Sequence, residues 1–278
     1  MKYTSLLTVA FFSAFVLSLL GCKAPVTVQP YSAGDILVAA HRAYHIHAPE
    51  NSLESIRQSM QKNIDIVEID VRRTADDSLV VLHDATIDRT TTGTGAIESL
   101  YWNDIKDLPL LHDGQPTDET IPLLREALRL GKNKILFDLD LKTEKIELVM
   151  QVVEQEQAAK NVFFFDSDWE VLEKVQSKHP DWSLMPRAYD VEMAKKAYEK
   201  FKPWAIHVDP SFASAELSDY FHSRGVHVWI NALGDTDQAL RADQTGPLEK
   251  LLQTKPSIIQ TDLPLAIQPI IKAREVKP

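Results

Sequence analysis

Two stretches decide the fold: Ile66-Val67-Glu68-Ile69-Asp70-Val71 and Ile135-Leu136-Phe137-Asp138-Leu139-Asp140-Leu141-Lys142. In an extended strand successive side chains point to opposite faces. Val67, Ile69 and Val71 therefore share one face of the first stretch, and Glu68 and Asp70 the other. In the second, Ile135, Phe137, Leu139 and Leu141 share one face. Asp138, Asp140 and, if the strand continues, Lys142 share the opposite one. Six more β-rich runs recur at regular intervals: Ile36–Ala40, Val162–Phe165, Ser183–Ala188, Ala205–Val208, Val226–Ile230 and Ser257–Gln260. Amphipathic segments lie between them. Leu53, Ile56 and Met60 keep helical spacing after Asn51. Ile146, Val149, Met150 and Val153 form one stripe behind Thr143, the expected N-cap. Ser167-Asp168-Trp169-Glu170 has the capping-box pattern ahead of Leu172 and Val175.

Strands alternating with helices imply βαβ units and a parallel sheet. Eight units in a chain of 278 residues have the size of a (β/α)8 TIM barrel. The last helix is expected to start at Pro264 and to kink or break at Pro269. Arg72 to Glu119 forms a small insertion after strand 2, with Val80–Leu82 as an extra β segment, and long insertions tend to carry function.

In such a barrel the helices cover the apolar face, so the acidic face points inward at the C-terminal rim, where these folds keep their active residues. Four carboxylates buried together need protons or a cation. Hard oxygen ligands suit Mg2+ or Ca2+. Structural ion pairs with Lys142 and Arg42 are the competing reading, and the position at the rim favours function. His41-Arg42 follows the first strand directly, and His83-Asp84 ends the Val80–Leu82 segment. His45, His47, His112, His179 and His222 read as ordinary polar residues, and His207 and His227 as structural residues within strands.

Hydrophobic residues make up 44% and charged residues 25%, an ordinary globular balance that excludes a disordered polymer or a multi-span membrane protein. A net charge of −10 with no basic run argues against a nucleic-acid binder. The single cysteine is Cys22, so no disulfide is expected. It follows Lys2 and the uncharged stretch Leu6 to Leu20, which is short for a span of about 20 residues. Leu19-Leu20-Gly21-Cys22 resembles a bacterial lipobox. The expected organisation is a lipoprotein signal peptide over 1–21, a lipidated tether over 22–34 and a barrel domain over 35–278. Lipid chains on Cys22 would hold the domain at a membrane, each buried CH2 adding about 0.8 kcal/mol. The chain is then expected in the bacterial cell envelope, periplasm-facing.

With these pieces in place the sequence resembles the glycerophosphodiester phosphodiesterase family along nearly all of the chain after Cys22. His41-Arg42-Ala43 is similar to the family's His-Arg-Gly, and Pro49-Glu50-Asn51-Ser52 to its Pro-Glu-Asn-Thr. Glu68-Ile69-Asp70-Val71 resembles the metal-binding Glu-x-Asp. His83-Asp84, followed by Asp88-Arg89-Thr90-Thr91-Thr92-Gly93-Thr94-Gly95, resembles the second histidine block. Ile121-Pro122-Leu123-Leu124, Val228-Trp229-Ile230-Asn231 and Thr261-Asp262-Leu263-Pro264 resemble later family motifs. Two positions depart. Asp138-Leu139-Asp140-Leu141-Lys142 stands where the family usually carries Asn-x-Glu-x-Lys, and Ala43 replaces a glycine, with a small local change expected.

The resemblance implies hydrolysis of a glycerophosphodiester to glycerol 3-phosphate and an alcohol. It implies a divalent metal on Glu68, Asp70 and Asp140, phosphate held by Arg42 and Lys142, and His41 and His83 as general acid and base. It places Trp229 against the glycerol, with Glu50 and Asp138 in supporting positions. By analogy the substrate's neighbouring hydroxyl attacks first and gives a cyclic phosphate. Two alternatives stand beside this reading: a phospholipase-type phosphodiesterase acting on intact sphingo- or inositol lipids, and a non-catalytic phosphodiester-binding lipoprotein. The presence of both histidines and every metal-position carboxyl argues against a decayed site.

Overall fold

In a computed structural model, described over residues 24–34 and 36–275, the regularly spaced β-rich runs pair edge to edge. The order is β1 (Leu37–Ala40), α1 (Leu53–Gln61), β2 (Ile66–Arg73) and β3 (Leu79–Val81). Next come α2 (Trp102–Ile105), β4 (Pro109–His112), β5 (Gln115–Thr120), α3 (Leu124–Gly131) and β6 (Leu136–Leu141). They are followed by α4 (Ile146–Gln155), β7 (Val162–Asp166), α5 (Trp169–Lys178), β8 (Ser183–Ala188), α6 (Val191–Phe201) and β9 (Ala205–Val208). The chain finishes with α7 (Ala215–His222), β10 (His227–Asn231), α8 (Asp235–Arg241), α9 (Gly246–Gln253), β11 (Ile258–Thr261) and α10 (Pro264–Glu275). Eight strands run parallel in the order β1-β11-β10-β9-β8-β7-β6-β2, and β1 pairs with β2 to close the barrel. The fold is the expected (β/α)8 TIM barrel.

Period-two alternation gives the barrel its layers. Ala39, Ile66, Leu136, Phe163, Met185, Ala205, Trp229 and Ile258, one from each strand, form an apolar interior cluster. Two residues further along each strand stand His41, Glu68, Asp138, Phe165, Arg187, His207, Asn231 and Gln260, all lining one cavity. The register sets Glu68 beside Asp138 and Asp70 beside Asp140. On the outer face Val67, Ile69, Phe137 and Leu139 pack in one buried cluster with Ile56, Leu128, Val149 and Val153 of the helices.

The insertion after β2 holds more structure than a single β segment. β3 pairs antiparallel with β2, β4 and β5 form a hairpin, and Val80, Leu82, Ile87, Ile97, Ile105, Leu110 and Ile121 bury a small core of their own. Two helix N-termini differ from expectation, and a third helix runs unbroken past its internal proline. α4 is capped at Lys145 rather than Thr143, whose hydroxyl instead accepts from the Lys145 N–H at 3.2 Å. The α5 N-cap is Asp168, one residue past Ser167, because its carboxylate reaches the Glu170 N–H. α10 starts at Pro264 as expected but continues through Pro269 to Glu275. Ile267 and Ile271 of its inner face are buried against the barrel wall, and this packing holds the helix together across one missing N–H.

The stretch expected as a tether lies across the N-terminal end of the barrel. The Val26, Val28 and Tyr31 N–H groups donate to the carbonyls of Asn133, Lys160 and Gly225, on the turns leading into β6, β7 and β10. Val26 and Val28 pack under the interior apolar layer, and the Tyr31 ring stacks on His222 with centroids 3.8 Å apart. Cys22 and the signal-peptide stretch lie outside the described residues. Among the described residues no helix is long and apolar enough to cross a membrane.

Candidate active site

The rim of the cavity is built from the turns that follow the strands. His41 leaves β1 with its N–H on the Thr261 carbonyl, and its Nδ1 lies 2.8 Å from Asp262 Oδ1. Asp262 is fixed in turn, since its N–H donates to Asp237 Oδ2 at 2.7 Å. Burial pushes the Asp262 carboxyl up, yet His41 prevails and holds it below the usual range. Arg42 and Ala43 turn the chain in the left-handed region, with φ of 52° and 59°. Ala43 thus takes the conformation that glycine adopts freely, at a cost of about 1–2 kcal/mol. That turn brings the Arg42 N–H to Glu68 Oε2 at 2.8 Å and the Ala43 N–H to the Glu68 carbonyl.

His83 approaches from the insertion, and its Nδ1 lies 2.7 Å from Asp84 Oδ1. Arg89 donates to Asp84 Oδ2 through Nε at 2.7 Å and to both oxygens of Glu50 through Nη1 and Nη2 at 2.7 and 2.8 Å. Glu50 also accepts from Arg42 Nη1 at 3.0 Å. The Arg89 guanidinium, and then His83, hold the Asp84 carboxyl well below its ordinary value. Both histidines therefore have a carboxylate behind Nδ1, which leaves Nε2 as the nitrogen free for chemistry.

Glu68, Asp70 and Asp140 each bring a carboxylate oxygen within 4.8 Å of the others. Glu68, Asp70 and Asp138 are almost fully buried. Glu68 Oε1, Asp70 Oδ1 and Asp138 Oδ1 have no hydrogen-bond partner among the described residues. Burial first, then the Asp70, Asp140 and Asp138 charges, drive the Glu68 carboxyl well up, and burial with Asp140 and Asp70 does the same to Asp138. Lys142 Nζ lies 2.5 Å from Asp140 Oδ2 and 3.6 Å from Asp70 Oδ1, and Arg42 Nε lies 3.8 Å from Asp70 Oδ2. Two cations beside four carboxyls leave the cluster short of positive charge. The converging, unpartnered oxygens are the hard donor set that a divalent ion requires, so these residues fit a metal.

The cavity, of about 110 Å3, contains His41, His83, Glu68, Asp70, Asp138, Asp140 and Trp229 of the expected residues in its lining. Trp229 is buried at 1% exposure and donates from Nε1 to Asn231 Oδ1, so its ring belongs to the barrel interior while bordering the site. Arg42 and Lys142 contact the cluster without lining the cavity, and Glu50 stands behind Arg42. Asp262, Arg89, Arg187 and His207 were not singled out as site residues by sequence reasoning. For Asp262 the signal was its place in Thr261-Asp262-Leu263-Pro264, directly after a strand. For His207 it was the inward parity of the strand Ala205–Val208.

Fold and rim together define a class: a parallel barrel whose pocket pairs a cation-demanding carboxylate cluster with two carboxylate-backed histidines. The profile of the glycerophosphoryl diester phosphodiesterase family matches residues 41–230, and the chain belongs to that family. A glycerophosphodiester phosphodiesterase of Caldanaerobacter subterraneus is 36% identical over 110 residues, which cover 38% of this chain and 45% of that protein. This chain's match therefore spans less than half the length of that relative. The crystal structure of a glycerophosphoryl diester phosphodiesterase from Parabacteroides distasonis is similar at a TM-score of 0.77 and 25% identity, covering 89% of this chain and 90% of that one. A phosphodiesterase of Oleispira antarctica in complex with the product sn-glycerol-3-phosphate is similar at a TM-score of 0.73 and 25% identity, covering 86% and 97%.

Proposed function

We propose that this chain hydrolyses glycerophosphodiesters to glycerol 3-phosphate and an alcohol, with a divalent metal on Glu68, Asp70 and Asp140. The observation that carries the reading is the meeting, in one cavity, of those carboxylates with His41 and His83, each backed by an aspartate. When bound, the ion supplies Lewis-acid stabilisation of charge developing on the phosphoryl oxygens. Lys142 and Arg42 add fixed positive charge beside the same oxygens, and Arg42 offers a fork of donors. His41 and His83 move protons through Nε2: one takes the proton of the attacking hydroxyl, the other delivers one to the leaving alkoxide. We take the glyceryl hydroxyl next to the phosphate as the first nucleophile, giving a cyclic phosphate that water then opens. Phosphorus NMR during slowed turnover would reveal that species, and its absence under every slow condition would remove the step.

The metal requirement is tested on the domain that begins after Cys22. Glycerol 3-phosphate release from glycerophosphocholine and glycerophosphoethanolamine is followed with Mg2+, Ca2+ or EDTA. Release that EDTA abolishes and one ion restores supports the reading and names the ion. No release with either ion refutes it for these substrates. We also propose lipidation at Cys22, with the domain exported and membrane-anchored. The 24–34 stretch crosses the end of the barrel opposite the cavity, so an anchor there would leave the mouth facing away from the bilayer. Labelled palmitate incorporation that Cys22→Ala does not abolish would refute the anchor.

A further inference from the structure

His207 is a buried nitrogen base that the mechanism above leaves unused. It lies on β9 as the register partner of Arg187 on β8, on the wall of the cavity away from the carboxylates of β2 and β6. Its exposure is 3%, and its ring packs beside Phe165 and Trp229 at centroid distances of 5.1 and 6.5 Å. Neither Nδ1 nor Nε2 has a hydrogen-bond partner among the described residues, and the same holds for Arg187 Nε. The Asp209 carboxylate accepts from Arg187 Nη2 at 2.8 Å.

A buried ring with both nitrogens unpaired is costly unless a ligand completes it. Burial, then the Arg187 charge, holds the imidazole down at about 3, so it is neutral at working pH and presents one N–H and one bare nitrogen. The two nitrogens lie on opposite edges of the ring, so one ligand atom meets one of them, and an anion can serve only the N–H. A trimethylammonium group has nothing to donate, and any cation there meets the Arg187 guanidinium. A hydroxyl serves whichever nitrogen faces the cavity, accepting from the N–H or donating to the bare nitrogen, and it can also accept from Arg187 Nε.

We propose that His207, with Arg187 beside it, recognises an uncharged hydroxyl of the substrate and is the specificity-determining pair of the pocket. This rests on the glycerophosphodiester reading above. The hydroxyl has two possible sources, the glyceryl arm or a polyol in the alcohol arm.

The test compares wild type, His207→Phe and Arg187→Met on three metal-loaded reactions. The substrates are glycerophosphocholine, its analogue with propane-1,2-diol in place of glycerol, and glycerophosphoglycerol. In parallel, direct binding of glycerol 3-phosphate and of propane-1,2-diol 1-phosphate, measured by titration calorimetry, reads recognition without turnover. His207→Phe should cost roughly ten- to hundredfold in kcat/KM wherever the recognised hydroxyl is present and under about threefold where it is absent. A glyceryl source makes the loss large on glycerophosphocholine and small on its deoxy analogue. An alcohol-arm source makes it large on glycerophosphoglycerol and small on both choline substrates. Equal loss on all three, or none on any, overturns the proposal. Wild-type inactivity on all three refutes the glycerophosphodiester reading instead. Direct binding of the two phosphates then still decides, since equal affinity for both, or for wild type and variant, overturns recognition of a glyceryl hydroxyl. Should His207→Phe fail to fold, Arg187→Met carries the same comparison, because its side chain is 32% exposed and leaves the interior layer intact.

Discussion

One guanidinium ties the insertion to the barrel and stands behind His83, the proposed acid–base histidine, and replacing it should separate positioning from binding. Arg89 makes four hydrogen bonds of 2.7–3.1 Å, two to Glu50 and two to Asp84, and Asp84 in turn orients His83. Arg89→Met keeps the stem and removes the fork. Hydrogen bonds to charged groups are worth about 1.5–3 kcal/mol each when shielded. Arg89 is 49% exposed, so solvent screening reduces the whole residue to about 1–2 kcal/mol. The pH dependence has a definite sign. Arg89 and His83 depress the Asp84 pKa, so that contribution is present above the unfolded carboxyl value of about 3.9 and is lost as pH falls below it. Urea melts should therefore show the full gap between wild type and variant from pH 5 to 8 and a closing gap below pH 4. Turnover should fall roughly ten- to hundredfold, the range for losing a partner that orients a reacting group. KM should stay within about twofold, because Arg89 does not line the cavity. Arg89→Lys should recover much of the stability and little of kcat, since a point charge does not reproduce the fork. A folded Arg89→Met protein with wild-type kcat, or a loss confined to KM, would refute the clamp.

His41→Ala or His83→Ala should lower turnover by several orders of magnitude with unchanged thermal melting, and near-native activity in either would remove the acid–base assignment. Asp140→Glu lengthens one arm of the carboxylate triad by a methylene, so the Mg2+/Ca2+ activity ratio should change if Asp140 binds the ion; an unchanged ratio would exclude it. Burial holds the His227 imidazole at about 4 against an ordinary 6.5, so the folded state binds fewer protons there and loses stability as pH falls from 6.5 to 4. Relative to His227→Gln, wild type should lose roughly 1–3 kcal/mol across that window, and parallel stability curves would show that the ring does not titrate with folding.

The barrel was legible because alternation in each strand is unambiguous: Ser183–Ala188 and Ala205–Val208 form with the expected bounds, and the others shift by a residue or two. Glu68, Asp70, Asp138 and Asp140 were readable for the same reason, since parity alone sends them inward. The hairpin of Pro109–His112 and Gln115–Thr120 escaped notice because its second strand is polar on both faces, and only Asp113-Gly114 signals the turn. Partners distant in sequence left no local trace. Asp262 meets His41 across 221 residues and Glu50 meets Arg89 across 39. The stretch before β1 read as a free tether for a related reason: its backbone bonds go to separate inter-strand turns, and no periodicity encodes such an edge.

That basal stretch bears on how the barrel tolerates its own active layer. The eight positions at the level of Glu68 and His207 contribute four groups, Glu68, Asp138, Arg187 and His207, each with at least one buried polar atom that has no hydrogen-bond partner among the described residues, so this layer opposes folding rather than driving it. Compensation must come from the apolar layer beneath, where Trp229, Phe163, Ile66 and Ile258 are at most 1% exposed. Val26 and Val28 pack against that layer from below, and Trp204 Nε1 and His227 Nε2 both donate to the Gln29 carbonyl, at 2.5 and 3.2 Å. The stretch before β1 thus seals one end of the barrel, and the cavity with its carboxylates and histidines opens at the other. Stability and the proposed function are divided along the barrel axis, and an ion and substrate bound as proposed should stabilise the fold as well as enable the reaction.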